Sequence, residues 1–213
     1  MKKMLQKEKT LGVVGFIGRF KPLHNGAALA LEALCEQAEY VKIGIGSANK
    51  YNPRNPFTAE ETEGMLRAYL TPRYDNFEII SVPDFAQDPK YADGTRWKEY
   101  VVEQFGTLDH FVSGNPFVKK LLEDTYHIIH PAACIPRECW MKLRATEVRV
   151  EMAQGSERWK DLVPTEVAPY IEQKHLLQRF QHEFGAEIVR SAVEDDYKRT
   201  ETGDEEKKHA QEN

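Results

Sequence analysis

The chain has 213 residues, with 29 Lys or Arg against 34 Asp or Glu, a formal charge of -5. That length predicts one domain with a sizeable core, and its apolar runs fall far short of a bilayer span, which argues against a transmembrane helix. The negative balance argues against generic nucleic-acid binding. Cys35, Cys134 and Cys139 are too few and too scattered for a disulfide framework or a zinc site.

The first nine residues are charged and lead into no signal-like apolar stretch, so they read as a flexible N-terminus of a cytoplasmic protein with no membrane partner. Residues 11–17, LGVVGFI, form an apolar run that predicts a strand buried on both faces. Over 26–38, Ala27, Leu31, Leu34, Cys35 and Ala38 recur at helical spacing. A second strand is predicted over 40–46. A polar, proline-bearing loop then leads to Thr58 and Glu61, a capping box that opens a helix over 59–70. A third strand (77–82), a helix (95–105) and a fourth strand (108–114) follow. Asn115 as N-cap and Pro116 at the first helical position start a helix to about Glu123. A fifth strand (126–130), an irregular stretch (131–145), a short helix from Thr146 and a long helix over 165–184 complete the ordered part.

Strands alternating with helices predict an α/β, Rossmann-like, doubly wound sheet, mostly parallel, of five or six strands with a C-terminal helical segment. One domain is expected over 10–190, followed by an acidic tail over 191–213. From residue 194 onward there are eight acidic and four basic side chains, so this stretch holds -4 of the -5. It has almost no aliphatic residues to offset its ordering entropy and is expected to be disordered.

Ligands of parallel sheets bind beyond the carboxyl ends of the strands. The first such end is Gly18-Arg19-Phe20-Lys21-Pro22-Leu23-His24-Asn25-Gly26. Glycine permits close backbone approach, a following helix offers free N–H groups, and Arg19, Lys21 and His24 add donors. That combination describes a polyphosphate site. It is not a P-loop, and Gly12, Gly15 and Gly18 lack dinucleotide-fingerprint spacing.

The segment from Gly18 to Gly26 resembles the G-R-F-x-P-x-H-x-G-H signature of the nucleotidyltransferase superfamily, in the form found in archaeal-type nicotinamide-nucleotide (NMN) adenylyltransferases. Similar segments follow in order: Ile45-Gly46-Ser47-Ala48, Arg54-Asn55-Pro56-Phe57-Thr58, Val82-Pro83-Asp84, Trp97, Ser113-Gly114-Asn115-Pro116 and Thr146-Glu147-Val148-Arg149. The resemblance covers about residues 11–172.

It implies joining of ATP and NMN into NAD with release of pyrophosphate, magnesium accompanying ATP, nicotinic acid mononucleotide as a further acceptor, and a homo-oligomer. No protein ligand to the metal is implied. His24, Arg19 and Arg149 map onto catalytic phosphate contacts; Gly18, Phe20, Lys21, Gly26, Arg54 and Thr146 onto ATP and phosphate binding; Trp97, Asp84, Asn115 and Ser47 onto the NMN side. Several have a plainer alternative: His24 as a satisfied loop histidine, Trp97 in the core, Asn115 and Thr146 as helix caps, Arg19 and Arg149 as surface residues.

Three positions depart from the pattern. The second histidine of the signature falls on Ala27, which offers neither a hydrogen bond nor charge; the change is either engineered, or natural and compensated, or the mark of a binding module. Arg144-Ala145 stands where Ser-Gly is usual, and Arg144 is a candidate replacement for the missing charge. Thr62 stands where an arginine often follows Glu61. Alternative readings are adenylyl transfer to FMN or phosphopantetheine, and a catalytically impaired NAD sensor.

Overall fold

A computed structural model describes residues 9–137 and 140–194. Five parallel strands, β1 (Val13–Gly18), β2 (Tyr40–Gly46), β3 (Phe77–Val82), β4 (His110–Val112) and β5 (Ile128–Ile129), lie in the order β3-β2-β1-β4-β5. β1 is central, pairing with β2 from Val13↔Tyr40 to Gly18↔Ile45 and with β4 from Val14↔His110 to Phe16↔Val112. The strand order reverses between β1 and β4, so the crevice for a ligand opens at their carboxyl ends.

The first three helices have the predicted positions: α1 (Asn25–Gln37), α2 (Ala59–Leu70) and α3 (Thr95–Phe105). Thr58 and Glu61 close the capping box of α2, with Thr58 Oγ1 accepting from Glu61 N–H at 3.2 Å and Glu61 Oε2 from Thr58 N–H at 2.9 Å. Such a cap is worth about 1 kcal/mol. Asn115 caps α4 (Pro116–Leu122) through Phe117 N–H.

Two apolar cores sandwich the sheet. One joins Val14, Ile43 and Ile45 to Leu31 and Leu34 of α1 and Met65 and Leu66 of α2. The other joins Val82 and Phe111 to Val101 and Phe105 of α3 and Leu122 of α4. On this second face β1 and β2 carry glycines. A Cβ on Gly44 would lie 2.5 Å from Ile17 and 3.0 Å from the Phe105 ring, and one on Gly15 3.0 Å from Phe111. These glycines give aromatic rings room against the sheet.

Four expectations change. The fourth and fifth strands shrink to three and two residues, because only Val14–Phe16 and Phe111–Val112 offer them partners. The irregular stretch contains one helical turn, α5 (Pro131–Cys134), capped by His130. The following helix, α6 (Ala145–Ala153), is capped at Arg144, so Thr146 lies inside it. The long helix over 165–184 is instead α7 (Val167–Gln173) and α8 (Leu176–Phe180), broken where His175 takes φ 55°, then a π turn at Gln181–Gly185 and helix over 186–194. Val167, Ile171, Leu176 and Phe180 are buried in the first core, so this segment packs on its own domain.

No described helix is long and apolar enough to cross a membrane. Cys139, the first eight residues and the acidic tail from residue 195 lie outside the described residues.

Candidate active site

Beyond the end of β1 the chain makes a turn that its own side chains dictate. Phe20 takes φ 53° and its ring folds back over Gly18, where a Cβ would come within 2.6 Å of it. The ring is buried, 6.1 Å from that of Phe16. Gly18 is therefore glycine for Phe20, and the Phe20 side chain belongs to the core, unlike the ligand-facing side chain expected. Lys21 is likewise turned inward. It is wholly buried, and Nζ donates to the carbonyl of Ser47 at 3.1 Å, tying the turn after β1 to the end of β2. Burial first, then the neighbouring Arg19 charge, lowers its pKa to about 8.

His24 is the N-cap of α1. Its Nδ1 accepts from Ala27 N–H at 3.3 Å. Burial, then the Arg149 charge, lowers its pKa to about 4, so the ring is neutral at pH 7. A neutral imidazole whose Nδ1 accepts must carry its proton on Nε2. His24 thus has one N–H donor left for a ligand, in a fixed tautomer. Gly26 sits beside it; a Cβ there would lie 3.2 Å from the Met141 carbonyl. Ala27 is half-buried in the first turn of α1 and touches the first core.

Arg149, on α6, is 7% exposed. Its Nη1 donates to the Lys21 carbonyl at 2.9 Å and its Nη2 to Thr146 Oγ1 at 3.1 Å. Thr146 orients that guanidinium. Burial, then the charges of Arg19 and Arg54, lowers the Arg149 pKa to about 10, and burial and Arg54 lower that of the exposed Arg19. Three guanidinium groups therefore repel one another, and among the described residues no carboxylate pairs with any of them. Positive charge held together without a counter-charge is an anion site. A cavity of about 430 Å³ adjoins it, lined by Arg54, Thr146, Arg149 and Val150 and, from the C-terminal helix, Glu187, Ile188, Ser191 and Ala192. Arg144 is exposed and does not line this cavity.

A second, mostly apolar cavity of about 230 Å³ lies beyond β2 and β3. Ser47, Asp84 and half-buried Trp97 line it. Ser47 stands at φ 52°. Asp84 is fixed on both sides of its peptide by Asn49, whose Oδ1 accepts from Asp84 N–H at 2.8 Å and whose Nδ2 donates to its carbonyl at 2.9 Å. Asn115 is outside the lining, its Oδ1 engaged with Phe117 N–H. Phe85, Tyr91 and Phe117 also line the cavity, and sequence reasoning missed all three. Phe117 is 53% exposed in the first turn of a helix that follows a strand end. An aromatic residue at such a place is the signal that was available.

A parallel sheet with a cationic cavity and an aromatic-lined one at the carboxyl ends of its strands defines a protein that handles nucleotides through their phosphates and a flat ring. Comparison with known proteins places it within that class. Residues 15–151 match the cytidylyltransferase-like family. The nicotinamide-nucleotide adenylyltransferase of Thermococcus kodakarensis is 33% identical over 172 residues, 78% of this chain and 85% of that one. That of Haloarcula marismortui is 30% identical over 169 residues, 78% and 84% of the two chains. The crystal structure of a bifunctional NMN adenylyltransferase/ADP ribose pyrophosphatase from Francisella tularensis, complexed with AMP and a manganese ion, superposes with a TM-score of 0.60. It shares 19% identity, and the match covers 91% of this chain and 56% of that one, which supports the fold alone. The chain belongs to the cytidylyltransferase-like family, in its archaeal-type nicotinamide-nucleotide adenylyltransferase branch.

Proposed function

We propose that the enzyme transfers the adenylyl group of ATP to the phosphate of NMN, giving NAD and pyrophosphate. The observation that carries this reading is the cluster of Arg19, Arg54 and Arg149, with no carboxylate partner among the described residues, beside neutral His24, at the carboxyl end of the sheet, the usual side for a ligand of this architecture. The relatives' names support the acceptor.

In this mechanism an NMN phosphate oxygen attacks the α-phosphorus of ATP. The new P–O bond forms as the bond to the bridging oxygen of pyrophosphate breaks. No protein nucleophile takes part, so rate comes from positioning and from stabilising charge. Arg19, Arg54 and Arg149 hold the triphosphate. His24 donates from Nε2 to an α-phosphate oxygen, a hydrogen bond that needs no proton transfer. Arg149 is the most rigid of the set, since both of its terminal nitrogens already have protein partners. Trp97 and its aromatic neighbours hold the nicotinamide ring, for which a flat, positively charged face is suited. Asp84 and Ser47 line the same pocket and are assigned to the NMN side.

Magnesium enters as part of the substrate MgATP. The donor set, being cationic, fits the phosphates of that substrate. We extend the proposal to a cytoplasmic setting, in keeping with buried Cys35 and Cys134, which form no disulfide among the described residues, and to a homo-oligomer, measurable by light scattering.

The test is incubation with MgATP and NMN, nicotinic acid mononucleotide, FMN or phosphopantetheine in turn, following pyrophosphate and dinucleotide. NAD formed from NMN is the expected result. A product only from FMN or phosphopantetheine overturns the acceptor. Ala27 makes one other reading testable in the same assay: NAD binding without turnover, persisting in Ala27→His, identifies a sensor.

A further inference from the structure

Arg54 sits at the tip of the loop between β2 and α2. Within the loop, Asn52 Oδ1 accepts from Arg54 N–H and from Asn55 N–H, both at 3.1 Å, and Asn52 bridges to Asn55. This makes a compact turn but does not attach it to anything. The attachment comes from the C-terminal segment, beyond the stretch that matches the family.

Arg179 on α8 forks onto Glu61 at the start of α2, Nη1 to Oε1 and Nη2 to Oε2, the latter at 2.7 Å. Nη2 also donates to the Pro56 carbonyl at 3.3 Å, two residues from Arg54. The same guanidinium lies 5.7 Å from the ring of Tyr51 on the other stem of the loop. Tyr51 in turn donates its hydroxyl hydrogen bond to Glu183 and sets its ring edge-on to Phe184 at 5.1 Å. Phe57 stacks on Phe180 at 6.0 Å and 15°. Both stems of the Arg54 loop are thus held by one short stretch, residues 179–184.

The departure at Thr62 has its counterpart here. Thr62 is buried and donates to the Thr58 carbonyl at 2.7 Å, so it offers Glu61 no charge. Arg179 supplies that charge from a distant part of the chain. The bidentate fork matters because it fixes direction as well as distance, which a lysine does not.

We infer that Arg179 is a positioning residue for the ATP side of the site: by clamping Glu61, Pro56 and Tyr51 it sets Arg54 against Arg149 across the cavity that the C-terminal helix walls. This rests on the proposed adenylyl transfer, because it assigns Arg54 to the ATP phosphates. The clamp touches neither Trp97 nor the aromatic cavity, so its loss acts on one substrate and not the other.

Isothermal titration of the full chain with MgATP and, separately, NMN tests this on wild type, Arg179→Met, Arg179→Lys and Tyr51→Phe. Arg179→Met is expected to weaken MgATP binding about 2- to 30-fold, the range of couplings carried by residues off the ligand, and to leave NMN binding unchanged. Arg179→Lys should recover part of the loss, and Tyr51→Phe should show a smaller loss of the same selectivity. A folded Arg179→Met protein with wild-type affinity for MgATP, or with both affinities reduced alike, overturns the inference. Should Arg179→Met not fold, unchanged MgATP binding in Tyr51→Phe overturns it. Wild type that binds no MgATP overturns the functional reading itself, a result distinct from all of these.

Discussion

Replacing Arg149 with methionine keeps an unbranched, largely apolar stem and removes the guanidinium charge at the centre of the cluster. In the folded protein that charge carries a cost, since burial and the Arg19 and Arg54 charges lower its pKa to about 10. The drop corresponds to ~3 kcal/mol. At pH 7 the group is charged both folded and unfolded, so folding bears that cost throughout the neutral range, and it is relieved only as pH rises past 10. Methionine recovers it but gives up the hydrogen bonds to Lys21 O and Thr146 Oγ1, worth about 1.5–3 kcal/mol each for a charged donor. The free protein should therefore lose only about 0–3 kcal/mol. A bound polyphosphate, by contrast, removes the repulsion and pairs with the guanidinium, so wild type has ~3 kcal/mol, or about 10²-fold in affinity, that the variant lacks. Urea unfolding without ligand measures the first quantity, and titration with MgATP the second. A stable Arg149→Met protein that binds MgATP within about threefold of wild type would refute the reasoning, and would make Arg149 a strut between Lys21 and Thr146.

Ala27→His restores a donor in the first turn of α1 and is expected to raise turnover about 10²–10³-fold while changing ATP affinity little; unchanged steady-state turnover would remove any role for that side chain. His24 titrates near 4 when folded and near 6.5 when unfolded. Its contribution to stability is complete above pH 6.5 and fades as pH falls from there toward 4, where the unfolded chain takes up the proton first. NMR titration of the ring should find it neutral at pH 5.5, a half-protonation point near 6.5 being the contrary result. Trp97→Ala should raise KM for NMN with KM for MgATP nearly constant, and an equal rise in both would detach Trp97 from the acceptor site.

Much of the fold was legible in the sequence because its signals are local. The capping box at Thr58 and Glu61 and the Asn115-Pro116 start of α4 are settled within one helical turn, and β1 and β2 announce themselves as apolar runs. The breaks in the segment from Val167 onward were not legible. Val167, Ile171, Leu176, Leu177, Phe180 and Phe184 keep helical spacing across a break, because the break at His175 is a change of backbone direction that leaves each apolar residue on the core. The short β4 and β5 were read too long for a similar reason: Leu108 and Tyr126 are apolar because they pack on α3 and its surroundings, not because they extend strands.

At the site, the motif drew attention to the right turn but assigned roles by residue type. Lys21 and Phe20 look like a donor and a ligand contact, yet one is tied to the Ser47 carbonyl and the other lies over Gly18. Thr146 looks like a cap and serves to orient Arg149. Arg54 was visible, whereas the pairings that hold its loop, Glu61 with Arg179 and Tyr51 with Glu183, were not, since each spans more than a hundred residues of chain.

By itself, then, the sequence determined the parallel α/β architecture and the branch of the family, for these depend on periodicity, on caps and on a run of adjacent residues. It also isolated Ala27, because a missing residue type is a matter of composition at one position. Only the tertiary structure decided which cations are tied to the protein alone and which gather against one another. Burial and like-charge proximity govern that choice, as Lys21 and Arg149 illustrate. Both are buried, but only Arg149 is pressed by two further guanidinium groups that have no carboxylate partner among the described residues.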